Sequence, residues 1–244
     1  MKNLDINKKK GSNPFLAVNY FLRGLKYLGK PELRKFLLIP VLINLVLFST
    51  ALALGYHYIS GFIEQLIPDW LQWLNWILWP LFFLCFFIIT FFSFTLLANL
   101  MAAPFYSKLS ASTLALLTGK PVAIEDQPVT KVIWAEARRL GYLGLRALPL
   151  IFLFIIPGIN FIAPFLWAIF GAWAMALEYL AYPLENEGLL FTDQRQVARS
   201  VRLGALSFGG ICIVGLAIPV LNILVPPAAV IGATIYIYET KNQA

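Results

Sequence analysis

Histidine occurs once in this chain, at His57, and cysteine twice, at Cys85 and Cys212. Both cysteines sit inside apolar stretches, so neither a disulfide framework nor a metal site is expected. The sequence holds no Ser–His–Asp order, no phosphate-binding glycine loop and no nucleotide fingerprint. His57, at the outer end of an apolar run, reads as an interface residue rather than a base. The carboxylate pairs Glu125/Asp126 and Glu185/Glu187 fall in polar turns, where solvation accounts for them. An enzyme is therefore not expected, and no cofactor is called for. Charge is also scarce: Asp, Glu, Lys and Arg make up 13% of the 244 residues, against 60% hydrophobic. That is too apolar for a soluble domain of this size and places the chain in the membrane class.

The charge that is present is lopsided. The net charge is +7, and Lys2, Lys8, Lys9, Lys10, Arg23, Lys26, Lys30, Arg34 and Lys35 all precede the first long apolar segment. This balance fits anchoring to anionic phospholipid at a cytoplasmic membrane face. It does not fit nucleic-acid binding, which would need a basic stripe interleaved with aromatics in a soluble module. Lys8–Lys10 looks like the charged front of a signal peptide, but no apolar region follows directly, so the whole chain is expected to be retained.

Taken in order, residues 13–30 read as an interfacial amphipathic helix. Asn19, Arg23, Lys26 and Lys30 share one face, and Phe15, Val18, Phe21, Leu22, Leu25 and Leu28 fill the other. Residues 31–59 form a first span; its uncharged part would rise roughly 36 Å, enough for a hydrocarbon core of about 30 Å. The loop that follows carries Glu64 and Asp69 and no Lys or Arg, which puts it outside and the N-terminus in the cytoplasm. Trp70, Trp73, Trp76 and Trp79 form an aromatic belt there. Residues 76–103 make a second span, and 105–146 read as cytoplasmic or interfacial helices with a turn around Gly119–Pro128.

The last two apolar zones, 147–177 and 203–238, are each broken in the middle. Pro157, Asn160 and Pro164 recur as Pro219, Asn222 and Pro226 at one constant offset, and Arg139-Leu140-Gly141 recurs as Arg202-Leu203-Gly204 at nearly the same one. This is an internal repeat: a basic helix leading into a Pro-Asn-Pro hairpin. Residues 147–156 would rise only about 15 Å and 165–177 about 20 Å, too short to cross. The expected fold is therefore an all-α integral membrane protein forming a single domain over residues 1–244. It has two long transmembrane helices, two Pro-broken, partly penetrating hairpins and interfacial amphipathic helices. Between the hairpins, Asp193 is placed to cap a helix with Gln196 three residues on. Arg195, Arg199 and Arg202 then line one face of it.

One stretch stands out as a candidate anion site. Pro31 and Glu32 suit the first turn of a helix, but Arg34 and Lys35 add two cations to its positive end. Backbone N–H groups, the helix dipole and side-chain donors converge there, as an anion would require. The same two residues also read as ordinary anchors to lipid phosphate. Irregular backbone at membrane depth is tolerated only when buried in protein or lining a wet cavity. Asn160 and Asn222 thus read either as pathway residues for an anion or as turn formers at the hairpin tips. Glu178 would either titrate during transport or pair with a nearby arginine. Anion transport is the leading class. A non-transporting, membrane-shaping or lipid-binding scaffold is the alternative, because basic amphipathic helices and half-inserted hairpins serve that purpose too.

Specific strings then carry a resemblance over nearly the whole chain. They are Pro31-Glu32-Leu33-Arg34-Lys35-Phe36 with Ile39-Pro40 and Asn44, Pro68-Asp69-Trp70-Leu71-Gln72-Trp73-Leu74, and Ala102-Ala103-Pro104-Phe105. Ile156-Pro157-Gly158-Ile159 with Ala163-Pro164, Tyr182-Pro183-Leu184-Glu185-Asn186 and Pro219-Val220-Leu221-Asn222 complete them. The sequence resembles the CysZ family of bacterial sulfate permeases. The resemblance implies a multi-pass protein of the bacterial inner membrane that imports sulfate for cysteine synthesis, and a homo-oligomer. It also implies a sulfate site at an Arg-Arg pair, which maps onto Arg34 and Lys35 beside Leu33. Lys35 departs from that pattern: it keeps the charge but lacks the planar fork that could hold two oxygens.

Overall fold

The computed structural model describes residues 4–66, 73–122, 128–218 and 221–241. Asp69 and Trp70 of the expected outer loop, the Glu125/Asp126 turn and Pro219 lie outside the described residues, as do the side chains of Pro40, Asn44 and Glu64. Among the described residues the secondary structure is helical, with one isolated bridge between Ile6 and Lys241. The helices are α1 (Lys8–Gly11), α2 (Pro14–Tyr27), α3 (Pro31–Leu66), α4 (Asn75–Thr118), α5 (Val129–Ile155), α6 (Ala163–Asn186), α7 (Phe191–Ser200), α8 (Arg202–Leu216) and α9 (Val225–Thr240). A short 3₁₀ turn, Leu221–Ile223, precedes α9.

The chain divides into two compact units, residues 1–36 with 106–244, and residues 37–105. The second consists of α3 beyond its first six residues and most of α4. Tyr56 meets Trp79 at 5.6 Å between ring centroids, and Trp79 continues into Phe82 and Phe83. Its outward side chains are apolar: Leu45 is 63% exposed, Trp76 89% and Ile89 65%. A surface of this kind suits a hydrocarbon solvent.

The first unit holds the packed core. α2 and α6 each lie against both α8 and α9. Tyr20 stacks on Tyr236 at 5.1 Å, and Phe21 meets Phe208 edge-on at 6.3 Å. α2 approaches α9 so closely that a Cβ on Gly24 would stand 2.1 Å from the Ala228 carbonyl oxygen. Small residues bring helix backbones together in this way where burial of apolar area cannot drive association. The end of α4 is tied in by polar pairs: Ser110 with Thr234 at 2.9 Å, and Ser107 Oγ donating to Asn186 at 2.8 Å.

Several helix limits differ from the sequence expectation. α2 forms with Asn13 as its cap, the side chain accepting from the Phe15 and Leu16 amides at 3.0 and 3.3 Å. Its buried face, however, is Ala17, Tyr20, Phe21 and Gly24, while Phe15 and Leu22 stay exposed. The helix packs on α8 and α9 as well as offering an apolar edge outward. α3 and α4 are the two long helices expected, but α4 continues to Thr118 through the region assigned to a separate interfacial helix. Likewise α5 runs unbroken from Val129 to Ile155, and α6 from Ala163 to Asn186. The expected ends at 146 and 177 followed changes in polarity, and polarity does not stop a helix. α5 stops just before Pro157 and Gly158, with Gly158 at φ +88°, and α6 stops just before Gly188, at φ +77°. At 24 residues α6 rises about 36 Å and is long and apolar enough to cross a membrane. The limbs of the second broken zone stay short, 15 and 16 residues or about 22–24 Å. α7 and α8 meet at a bend of 103°. Asp193 does not cap α7: Leu190 holds that place, and its carbonyl accepts from the Asp193 and Gln194 amides at 2.9 and 3.0 Å.

Candidate functional site

The turn from α2 to α3 is three residues long, Leu28-Gly29-Lys30, and Pro31 starts the next helix at once. Pro31 has no N–H to offer. The Leu33 and Arg34 amides are taken by the Lys30 carbonyl at 3.0 and 3.2 Å. The expected convergence of open backbone amides is thus narrower than the sequence suggests. What remains for an anion is the Glu32 amide, which has no acceptor among the described residues, with the helix dipole and the side chains.

Three cations crowd this turn. Arg34 Nε donates to the Gly29 carbonyl at 2.9 Å, which ties the exposed side chain across the turn, and its terminal nitrogens have no partner among the described residues. Lys35 Nζ lies 5.3 Å from the Phe36 ring centre, and Lys30 Nζ lies 4.2 Å from that of Tyr27. Arg34, Lys35 and Lys30 are exposed. Among the described residues none of the three is in an ion pair, whereas Arg23 and Lys10 are both held by Glu239, at 2.6 and 3.6 Å. Burial, with the Glu239 carboxylate beside it, pushes the neighbouring Tyr20 phenol up to about 12. Leu33, the third residue of the stretch, is fully buried. Its side chain anchors the first turn of α3 in the core and cannot face an anion in solvent.

The other candidates lie apart in the fold. Asn160 sits in the turn between α5 and α6, its carbonyl accepting from the Ala163 amide at 3.2 Å, with the side chain exposed. Asn222 sits in the 3₁₀ turn before α9, also exposed. Pro164 and Pro226 each occupy the first turn of the following helix. The two halves of the repeat therefore use the same device to restart a helix.

Glu178 is paired with Arg139 of α5, and the Tyr182 hydroxyl donates to it at 3.4 Å. Arg139 is buried and also reaches Glu136 at 3.5 Å. The arginine that pairs with Glu178 comes from a different helix, and only the packing of α5 on α6 identifies it.

Sequence reasoning separated Arg146 from the Arg195/Arg199/Arg202 face, yet Tyr142 joins them. Arg146 lies 3.8 Å and Arg195 5.0 Å from its ring centre. No motif signals that gathering, because it depends on how α7 folds back on α5.

The chain also matches proteins that carry names. Residues 20–227 match the family model described as sulfate transporter CysZ/etoposide-induced protein 2.4. A protein of Pseudomonas fluorescens named sulfate transporter CysZ is 41% identical over 237 residues, covering 91% of this chain and 94% of its own. One of Pseudomonas aeruginosa with the same name is 37% identical, covering 89% and 92%. One of Pectobacterium atrosepticum, again so named, is 34% identical, covering 89% and 82%. On that similarity, which runs through both compact units, the chain belongs to the sulfate transporter CysZ/etoposide-induced protein 2.4 family.

Proposed function

We propose that the chain transports sulfate into the cell across a bacterial inner membrane and so supplies cysteine synthesis. The observation that carries this reading is near full-length similarity to proteins named sulfate transporters, joined to a cationic helix start that has no acidic partner among the described residues. In it, α3 and α4 cross the bilayer, the N-terminus is cytoplasmic, and the broken zones of the repeat enter from one side. The chain works as a homo-oligomer, and no catalytic step is involved.

Sulfate reaches the start of α3 and is held by the terminal nitrogens of Arg34, with Lys35 and Lys30 adding charge. Asn160, Asn222 and the restarted helices α6 and α9 offer neutral dipoles along the pathway, which avoids burying a permanent charge. Glu178, already paired with Arg139, holds α5 to α6.

Purified protein in liposomes is expected to take up radiolabelled sulfate well above empty vesicles, with chloride a poor competitor. Uptake no faster than empty vesicles, together with deformation of the liposomes, would favour the membrane-shaping scaffold instead.

A further inference from the structure

A cavity of about 480 Å³ lies between α5, α6, α7 and α8, away from the start of α3. Its lining divides in chemistry. Arg146, Arg199 and Arg202 form a cationic part, and Leu150, Leu166 and Phe170 belong to an apolar part. Arg195 adds a fourth guanidinium next to them, since it shares the Tyr142 ring with Arg146. Among the described residues none of these four arginines is in an ion pair, and no Asp or Glu lines the cavity. Arg139, two turns earlier on α5, has two carboxylates. Gathering like charges without a counter-charge is unfavourable, and a bound anion relieves it. Arg202 also opens α8, whose N-terminus has no side-chain cap, so the helix dipole adds to the same field.

The apolar part decides what kind of anion fits. A lone oxyanion has no use for a leucine and phenylalanine wall. The wall continues outward along exposed Ile169 and Phe165 of α6. We propose that this cavity binds an anionic phospholipid, its phosphate on Arg146, Arg199 and Arg202 and an acyl chain along α5 and α6. The Tyr142 hydroxyl is engaged by the Trp173 indole N–H at 3.1 Å, so the tyrosine acts as a platform that spaces the guanidinium groups. The assignment is independent of the sulfate site at Arg34.

Native mass spectrometry of the full chain in a zwitterionic detergent tests it, with phosphatidylglycerol, phosphatidylcholine or inorganic sulfate added. Wild type is expected to retain phosphatidylglycerol at least tenfold better than phosphatidylcholine. The triple variant Arg146→Gln/Arg199→Gln/Arg202→Gln is expected to lose that preference, while the exposed-surface variant Lys120→Gln keeps it. If the triple variant fails to fold, Arg199→Gln and Leu166→Glu are each expected to lower retention at least threefold. Retention unchanged in the triple variant, or in both single ones, overturns the site. Displacement of the lipid by millimolar sulfate, or equal retention of phosphatidylcholine, overturns its assignment to an anionic lipid.

Discussion

Leu33, Arg34 and Lys35 are neighbours in the chain but meet different surroundings. Leu33 is in the core, Arg34 is fixed to the Gly29 carbonyl, and Lys35 rests near Phe36. Arg34 thus presents a preorganised guanidinium, and Lys35 a mobile point charge. Charge-assisted hydrogen bonds contribute about 1.5–3 kcal/mol each. Arg34→Ala is expected to weaken sulfate binding roughly ten- to a hundredfold by equilibrium dialysis, and Lys35→Ala less than tenfold. Lys35→Arg should bind at least as well as wild type. If Lys35→Ala weakened binding more than Arg34→Ala, the lysine would be the main ligand. Glu178→Ala tests a different residue role. It removes one of two carboxylates from buried Arg139, so it should lower stability by about 1–2 kcal/mol, allowing for Glu178 being partly exposed and Glu136 remaining. A fall in melting temperature with unchanged sulfate affinity is the expected outcome. Lost affinity at normal stability would instead place Glu178 in the pathway.

At the scale of elements, the helices that organise the site depend on close contacts and sharp stops. Gly24 lets α2 meet α9, and α2 delivers the turn that carries Arg34. Gly24→Val would drive its side chain into the Ala228 backbone and should cost about 3 kcal/mol or more, beyond the usual range for overpacking, since backbone must move. Thermal unfolding in detergent should show a drop of several degrees. An unchanged melting temperature would mean that α2 is free of α9. Gly158 has open space around it but a positive φ, so Gly158→Val should cost only the backbone strain, about 1–2 kcal/mol. The elements also show which sequence signals were informative. Asn13, Pro31, Pro164 and Pro226 all stand at helix starts, because caps and proline act locally on the backbone. The ends placed at 146 and 177 shifted, because a change from charged to apolar side chains leaves the backbone hydrogen-bond ladder intact. Asp193 shows the converse: the cap lies three positions before this residue of the right type, at Leu190, because Phe191 is drawn into the core.

At the scale of the whole molecule, the membrane character follows from composition, and the all-helical class from uncharged apolar runs long enough to cross as helix. The candidate anion site was legible because it lies within a single run of residues, Pro31–Phe36. The Glu178–Arg139 pair and the arginines around Tyr142 were not, because their members come from helices far apart in sequence. The two proposed anion sites differ in what surrounds the charge: at the start of α3 the cations face solvent, whereas beside Arg146, Arg199 and Arg202 stands an apolar wall of Leu150, Leu166 and Phe170. The measurement that bears most directly on sulfate transport through the first is uptake in proteoliposomes, comparing wild type with Arg34→Glu at equal protein content. Uptake is expected to fall at least tenfold in Arg34→Glu, with the fold intact by circular dichroism. Sulfate flux in Arg34→Glu equal to wild type would contradict the assignment, leaving Arg34 as a membrane anchor.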